Sequence, residues 1–293
     1  MCLLKYDCRE DIIQLTRLWM GERFDDGRPR VPDDILQRIR NITFEEAWSH
    51  LWNKGYRYQY ECHLKFTRAD CKLVGRAVTA VMIPKRPDLD DYLLQYGNEQ
   101  EGREGFFNQW VIDSLTEDDV VVVDMYDKIF EGIFVGGNLS TAIATRTKRG
   151  GSVIWGGIRD LEQIAAIPGI QTFYRGNDPT GIADCTMIGM NTPCRIGGAI
   201  CMPGDIVLGT VAGVVFIPPH LAAAVATDAE KAHIRDRFAF LRLEKNVYTT
   251  AQVDRAWTLE MWKDFINWFE HDELAQDYQH LEWMEELEKA KTQ

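Results

Sequence analysis

The chain has 293 residues, 45% of them hydrophobic, which can supply a sizeable core for one large domain or two ordinary ones. Against 33 Lys and Arg stand 45 Asp and Glu, and a formal charge of −12 with no basic cluster excludes nucleic acid as an expected partner. No apolar stretch approaches the roughly 20 residues of a membrane span, and the opening "MCLLKYDCRE" carries no readable address, so a cytoplasmic protein with no membrane partner is expected. Cys2, Cys8, Cys62, Cys71, Cys185, Cys194 and Cys201 are odd in number and form no C-x-x-C pair, which reads as reduced thiols.

Residues 1–55 read as a helical extension. "REDIIQLTRLWMGERF" sets Ile12, Ile13, Leu15, Leu18 and Trp19 at helical spacing, and "TFEEAWSHLWNKG" starts at a Thr43 cap and ends at Gly55. From 56 to 220 short β-branched runs alternate with glycine and proline, as in "KLVGRAVTAVMI", "DVVVVDM", "GSVIW" and "DIVLGTVAGVVFI", with "LSTAIATRTKRG" as a helix among them. That mixture predicts an α/β core. Residues 221–293 turn helical again, and their closing stretch aligns Leu274, Tyr278, Leu281 and Leu287 in an approximate apolar stripe. With no repeat, low-complexity tract or linker, one domain spanning 1–293 with helical extensions at both ends is expected.

Residues 119–160 carry the chemistry. "DVVVVD" is a buried-strand signature, "VGGN" a glycine loop, the following helix opens near Asn138, and "GSVIW" is a second strand that delivers Gly156, Gly157, Arg159 and Asp160. If the two strands are parallel, the loop entering the helix and the residues leaving the second strand share the sheet edge where open α/β folds bind ligands. Free N–H groups at Asn138, Leu139 and Ser140, with Gly136 and Gly137 allowing close approach, would form a carboxylate site. Arg159 could grip the same carboxylate, and Asp160 would offer a hard oxygen to Mg²⁺ or Mn²⁺. A surface turn beside a helix cap would produce the same letters.

Four ordered stretches, "KLVGRAVTAV" (72–81), "DDVVVVD" (118–124), "GGNLSTAIATRTKRGGSVIWGGIRD" (136–160) and "NTPCRIGGAICMPGDIVLGTVAGVVFIP" (191–218), resemble the RraA-like superfamily over residues of about 72–220. That superfamily includes class II 4-hydroxy-4-methyl-2-oxoglutarate aldolases, oxaloacetate decarboxylases and the regulator of ribonuclease E activity. The resemblance implies a β/β/α swivelling-type core assembled as a trimer or hexamer with active sites at subunit interfaces. It also implies that Arg159 holds the substrate's carboxylate and oxo group, that Asp160 is the direct metal ligand, and that the loop at Gly137, Asn138, Leu139 and Ser140 binds the pyruvate moiety.

One departure falls in the site. Catalytic members carry Asp or Glu twenty-one positions before the arginine, where this chain has Asn138; Asp124 and Asp127 are the nearby carboxylates that could compensate. Elsewhere, the six histidines show no ligand spacing, and Arg175 and Asp178 of "FYRGNDPTG" could line the pocket or an ordinary loop. Gly198 and "PGD" at 203–205 read as turn chemistry, and Trp257, Trp262, Trp268 and Trp283 as buried packing. The expected function is metal-dependent carbon–carbon lysis of a 2-oxo acid: retro-aldol cleavage of a 4-hydroxy-2-oxo acid to pyruvate, with possible oxaloacetate decarboxylation. The alternatives are an enolate-forming dehydratase acting on a sugar-derived acid, and a non-catalytic protein-binding regulator.

Overall fold

Three short helices lead into the sheet: α1 (Arg9–Leu15), α2 (Asp33–Asn41) and α3 (Phe44–Asn53). At the start of α3, Thr43 and Glu46 form a reciprocal capping box, as their spacing predicts. α1 stops at Leu15 although the apolar spacing runs on to Trp19. Thr16 Oγ1 donates back to the Ile12 carbonyl, and the Arg23 guanidinium donates to the carbonyls of Thr16, Trp19 and Gly27. A side chain therefore closes the carbonyls that further helix would have used.

In this computed structural model residues 8–292 are described, so Cys2 and the first seven residues lie outside the described residues. Two compact units divide the chain, Met1–Ala223 and Ala224–Gln293. After α3 the first unit continues through β1 (Tyr60–Glu61), β2 (Lys65–Phe66), β3 (Leu73–Pro84), α4 (Pro87–Gln100), α5 (Phe107–Asp113), β4 (Asp119–Asp124), β5 (Ile133–Val135), α6 (Gly137–Thr147) and β6 (Gly151–Ile158). It then runs through α7 (Leu161–Ala166), β7 (Gln171–Asn177), β8 (Cys185–Met190), β9 (Cys194–Ile196), β10 (Ala199–Cys201), β11 (Ile206–Thr210) and β12 (Gly213–Ile217).

The main sheet has ten strands in the order β1-β12-β11-β3-β4-β6-β7-β2, with β8 added to β3 and β5 to β6. Its centre, β3-β4-β6-β7, is parallel, and β11 and β12 continue it as an antiparallel hairpin. Every residue of β4, "DVVVVD", is buried because both faces are covered. On one face Val121, Val123 and Ile154 pack with Phe107, Trp110 and Ile143 from the helices. On the other, Val120, Val122 and Val153 meet Cys194, Ile196, Ala199 and Cys201 of the β9–β10 hairpin. The layering is strands, sheet, helices, the β/β/α order that the resemblance implies, around the α/β core that the pattern predicts.

The N-terminal segment is fastened to the start of β4 by a buried ion pair. Arg28, 2% exposed, donates through both Nη atoms to the fully buried Asp119, whose Oδ2 also accepts from the amide and hydroxyl of Thr116. Arg76 reaches the Val31 carbonyl and Asp33 beside it. The described cysteines, Cys8, Cys62, Cys71, Cys185, Cys194 and Cys201, are all free.

The second unit holds the remaining helices: most of α8 (Ala222–Glu244), then α9 (Thr250–Val253), α10 (Leu259–His271) and α11 (Met284–Lys291). Trp257, Trp262, Trp268 and Trp283 are buried around Phe238 and Phe265, with edge-to-face contacts such as Phe265 to Trp283 at 4.7 Å. The apolar stripe near the C-terminus is not one helix. Asp272 caps a 3₁₀ turn over Glu273–Tyr278, and Gln279 takes the carbonyls of Phe269 and Ala275, so Leu281 is buried while Leu274 stays exposed. Among the described residues no helix is long and apolar enough to cross a membrane.

Candidate active site

The geometry begins with an interrupted strand. β4 pairs with β6 only as far as Asp124 and Trp155; the chain then leaves the sheet for residues 125–132 and returns as β5, which pairs with Gly157 and Ile158. β5 is absent from the expected strand-loop-helix order, and it, not β4, delivers the glycine turn. The excursion explains the glycine pair of β6. A Cβ on Gly156 would run into Met125, and one on Gly157 would lie 2.8 Å from the Ile129 carbonyl.

Because β5 and β6 are parallel, the start of α6 and the end of β6 meet at one edge. The Arg159 amide donates to the Val135 carbonyl, and on the other side the Asp178 amide donates to the Ile158 carbonyl, so β5 and β7 fix the point where β6 ends. Asp160 follows in the left-handed region at φ 57, ψ 42, a conformation costing about 1–3 kcal/mol for a residue other than glycine. Its Oδ2 accepts from the Gly137 amide at 3.0 Å, which ties the end of β6 to the start of α6. A Cβ on Gly136 would lie 2.6 Å from Asp160 Oδ2, and one on Gly137 would collide with Gln163. A side chain at either position would displace the Asp160 carboxylate or the Gln163 amide from its place at this edge.

A cavity of about 380 Å³ opens here, lined by Gly136, Gly137, Asn138, Leu139, Arg159 and Asp160, and walled on the far side by Phe106, Asn108 and Gln109 of α5 and its N-terminal flank. Two free amides face α6's N-terminal end. The Ser140 amide is committed to the Gly136 carbonyl and the Gly137 amide to Asp160, which leaves Asn138 and Leu139 as donors without a partner among the described residues. Ser140 itself is fully buried, with its Oγ unpaired. The helix dipole adds positive potential at those two amides.

Arg159 is held loosely. Its side chain is 45% exposed, its Nη1 reaches the Thr180 carbonyl at 3.4 Å, and its Nε stands 3.5 Å from Asp160 Oδ2. Much of the guanidinium fork is thus available to an anion, and Asp160 Oδ1 has no protein partner among the described residues. A groove of about 440 Å³ adjoins on the other side of Arg159 and Asp160, lined by Glu162, Gln163, Asn177 and Asp178. Asp178 turns inward on its own loop, accepting from the amide and hydroxyl of Thr180.

The other acidic residues named from the sequence are elsewhere. Asp124 aligns with Trp155, four residues before Arg159 and so about 13 Å back along the strand. It faces β9, with Oδ2 3.5 Å from Arg195 Nε, and burial raises its carboxyl above the ordinary range. Asp127 pairs with Arg175 at 2.9 Å, and that arginine stacks over Trp155 and donates to the His63 carbonyl. The structure therefore brings Asn138, Leu139, Arg159 and Asp160 together and leaves Asp124, Asp127 and Arg175 outside.

A divalent cation fits this donor set in one manner. Among the described residues no group of three or more His, Cys, Asp and Glu gathers as a metal cage. The cavity presents one carboxylate with a free oxygen and the side-chain amide of Asn138, which suits Mg²⁺, an ion that keeps most of its water and needs only one or two carboxylates.

Comparison with known proteins gives a consistent result. A family model described as RraA-like, Aldolase/RraA, matches residues 45–216, more than half of the chain. No curated protein matches. Among solved structures, RraAS2 of Streptomyces coelicolor, an unusual member of the RNase ES inhibitor RraA family, superposes with a TM-score of 0.59 at 20% identity, covering 73% of this chain and all of that one. A protein of Pseudomonas syringae superposes with a TM-score of 0.61 at 17% identity over 80% of this chain and 98% of its own. These similarities concern the fold.

Proposed function

The chain belongs to the RraA-like family, and we propose that it is a divalent-metal-dependent lyase that cleaves a carbon–carbon bond in a 2-oxo acid. One observation carries the reading: the half-exposed fork of Arg159, the free oxygen of Asp160 and the two free amides at the start of α6 open on one cavity. That family joins aldolases with RraA proteins. Arg159 and the amides of Asn138 and Leu139 would bind the substrate's carboxylate, and Asp160, with the amide of Asn138, would hold the cation. A bound Mg²⁺ or Mn²⁺ supplies a Lewis acid at the 2-oxo oxygen.

In retro-aldol cleavage of a 4-hydroxy-2-oxo acid, the C3–C4 bond breaks, its electrons pass toward the 2-oxo group and the 4-hydroxyl gives up its proton. Protonation at C3 then yields pyruvate. Decarboxylation of oxaloacetate breaks the corresponding C3–C4 bond to the same enolate, with loss of CO₂ and no hydroxyl proton to remove, so one site would serve both. Among the described residues Asp160 is the sole carboxylate lining the cavity, and the 4-hydroxyl proton would leave through water. A homo-oligomer, trimer or hexamer, would complete the open walls. The enolate-forming dehydratase is a further fate of the same site.

The test is pyruvate release from oxaloacetate and from 4-hydroxy-4-methyl-2-oxoglutarate, with Mg²⁺ or with EDTA. The expected result is metal-dependent release that falls at least about 100-fold in Arg159→Ala, the loss typical of removing one preorganised charge-stabilising donor. Asn138, an amide where catalytic relatives are described by a carboxylate, favours a second reading as a protein-binding regulator. Absence of metal-dependent pyruvate from both substrates would overturn the lyase reading for them, and capture of a protein partner would then favour the regulator over the dehydratase.

A further inference from the structure

A second cavity, of about 250 Å³, lies at the opposite edge of the sheet. Strand register sets its place: Asp205 immediately precedes β11, where Ile206 pairs with Ile217 and with Arg76, and Arg76 pairs with Asp119 at the beginning of β4. Arg159 and Asp160 follow the far end of the parallel strands. Leu15, Leu18, Trp19, Ile200 and Pro218 supply apolar walls, and Leu18 and Ile200 remain 59% and 43% exposed.

Inside these walls sits a carboxyl group. Asp205 is 1% exposed; its Oδ2 accepts from the Met202 amide at 2.8 Å, and its Oδ1 has no partner among the described residues. Among the described residues no Lys or Arg lines the cavity. The other polar groups there are engaged or neutral. Thr16 Oγ1 donates to the Ile12 carbonyl and accepts from Arg23, Gln59 Nε2 donates to the Ile200 carbonyl, and Tyr56 Oη lies 3.3 Å from His220 Nε2. Burial holds the His220 imidazole below its ordinary pKa and pushes the Asp205 carboxyl up to about 7. A buried carboxyl normally has its charge or its lone pairs answered, and here one oxygen is answered by nothing among the described residues.

We propose that this cavity is a second ligand site, for a small amphipathic amine whose ammonium group meets Asp205 while its apolar body lies between Leu18, Trp19 and Ile200. The volume falls below the roughly 300 Å³ at which drug-sized sites begin, so the ligand is small. A cation is the complementary head group because, among the described residues, Asp205 is the cavity's only acid and no basic side chain competes for it.

Calorimetric titration with 2-phenylethylamine and with its neutral isostere 2-phenylethanol tests the site. The amine is expected to bind at least about tenfold more tightly than the alcohol, the increment of one charge-assisted hydrogen bond. Asp205→Asn should remove that preference. Leu18→Lys, which alters an exposed wall and leaves the core intact, should weaken the amine even if Asp205→Asn folds poorly. Arg159→Ala should bind the amine as the native chain does. Equal binding of amine and alcohol, no binding of either, or loss of amine binding in Arg159→Ala would each overturn the proposal.

Discussion

The two edges of the parallel sheet use the same residue types to opposite ends. At the N-terminal edge Arg28 and Asp119 are 2% and 0% exposed, their closest contact is 2.8 Å, and Thr116 answers the remaining lone pairs. At the C-terminal edge Arg159 and Asp160 are 45% and 36% exposed, their closest approach is 3.5 Å, and Asp160 keeps an oxygen free. A charge pair that satisfies itself holds chain to chain; a pair left unsaturated beside free amides is equipped to hold something else. Asp205 adds a third case at the N-terminal edge, a buried acid with no cation among the described residues of its cavity.

The largest effect that would break this contrast concerns stability. Arg28→Ala strands Asp119 in the interior and is expected to cost about 3–5 kcal/mol in chemical denaturation, whereas Arg159→Ala should fall within about 0.5 kcal/mol of the native chain. Equal losses would mean that both pairs are structural. A smaller effect concerns pH. The Asp205 carboxyl is raised from its ordinary 3.8 to about 7, so the folded state retains a proton that the unfolded chain gives up. Its contribution to stability therefore declines as pH rises from about 4 to about 7. Relative to the native chain, Asp205→Asn should gain on the order of a few kcal/mol across that range, with Cys201, Tyr56 and His220 as the neighbouring titratable groups. A melting-temperature difference that stays flat from pH 4 to pH 8 would contradict the assignment.

Of this contrast only the C-terminal edge was legible in the letters; the Arg28–Asp119 pair joins residues 91 apart in the chain, and local pattern does not show it. "DVVVVD" and "GSVIW" announce strands buried on both faces because such residues need no polar alternation; their parallel pairing, which the letters leave as a condition, puts the glycine turn and the R-D pair at one edge. The resemblance named the family, and residues 45–216 match its model. Three features left no readable trace. β5 is only three residues long and the strand that it continues breaks off at Asp124, so local pattern shows one strand where the sheet uses two. The wall from Phe106 to Gln109 comes from a helix about 30 residues upstream, placed by packing. Whether Asp124 reaches the site depends on which face of β4 it occupies, and four buried valines do not say.

The role of Asp160 is the point on which the account turns. Mn²⁺ titration followed by electron paramagnetic resonance reads it without requiring turnover. One site per chain is expected, abolished in Asp160→Asn, kept in Arg28→Ala at temperatures where that variant is folded, and tightened about tenfold in Asn138→Asp, which restores a second carboxylate to the cavity. Mn²⁺ binding that survives Asp160→Asn, or that Asn138→Asp leaves unchanged, would contradict the placement of the metal at this edge.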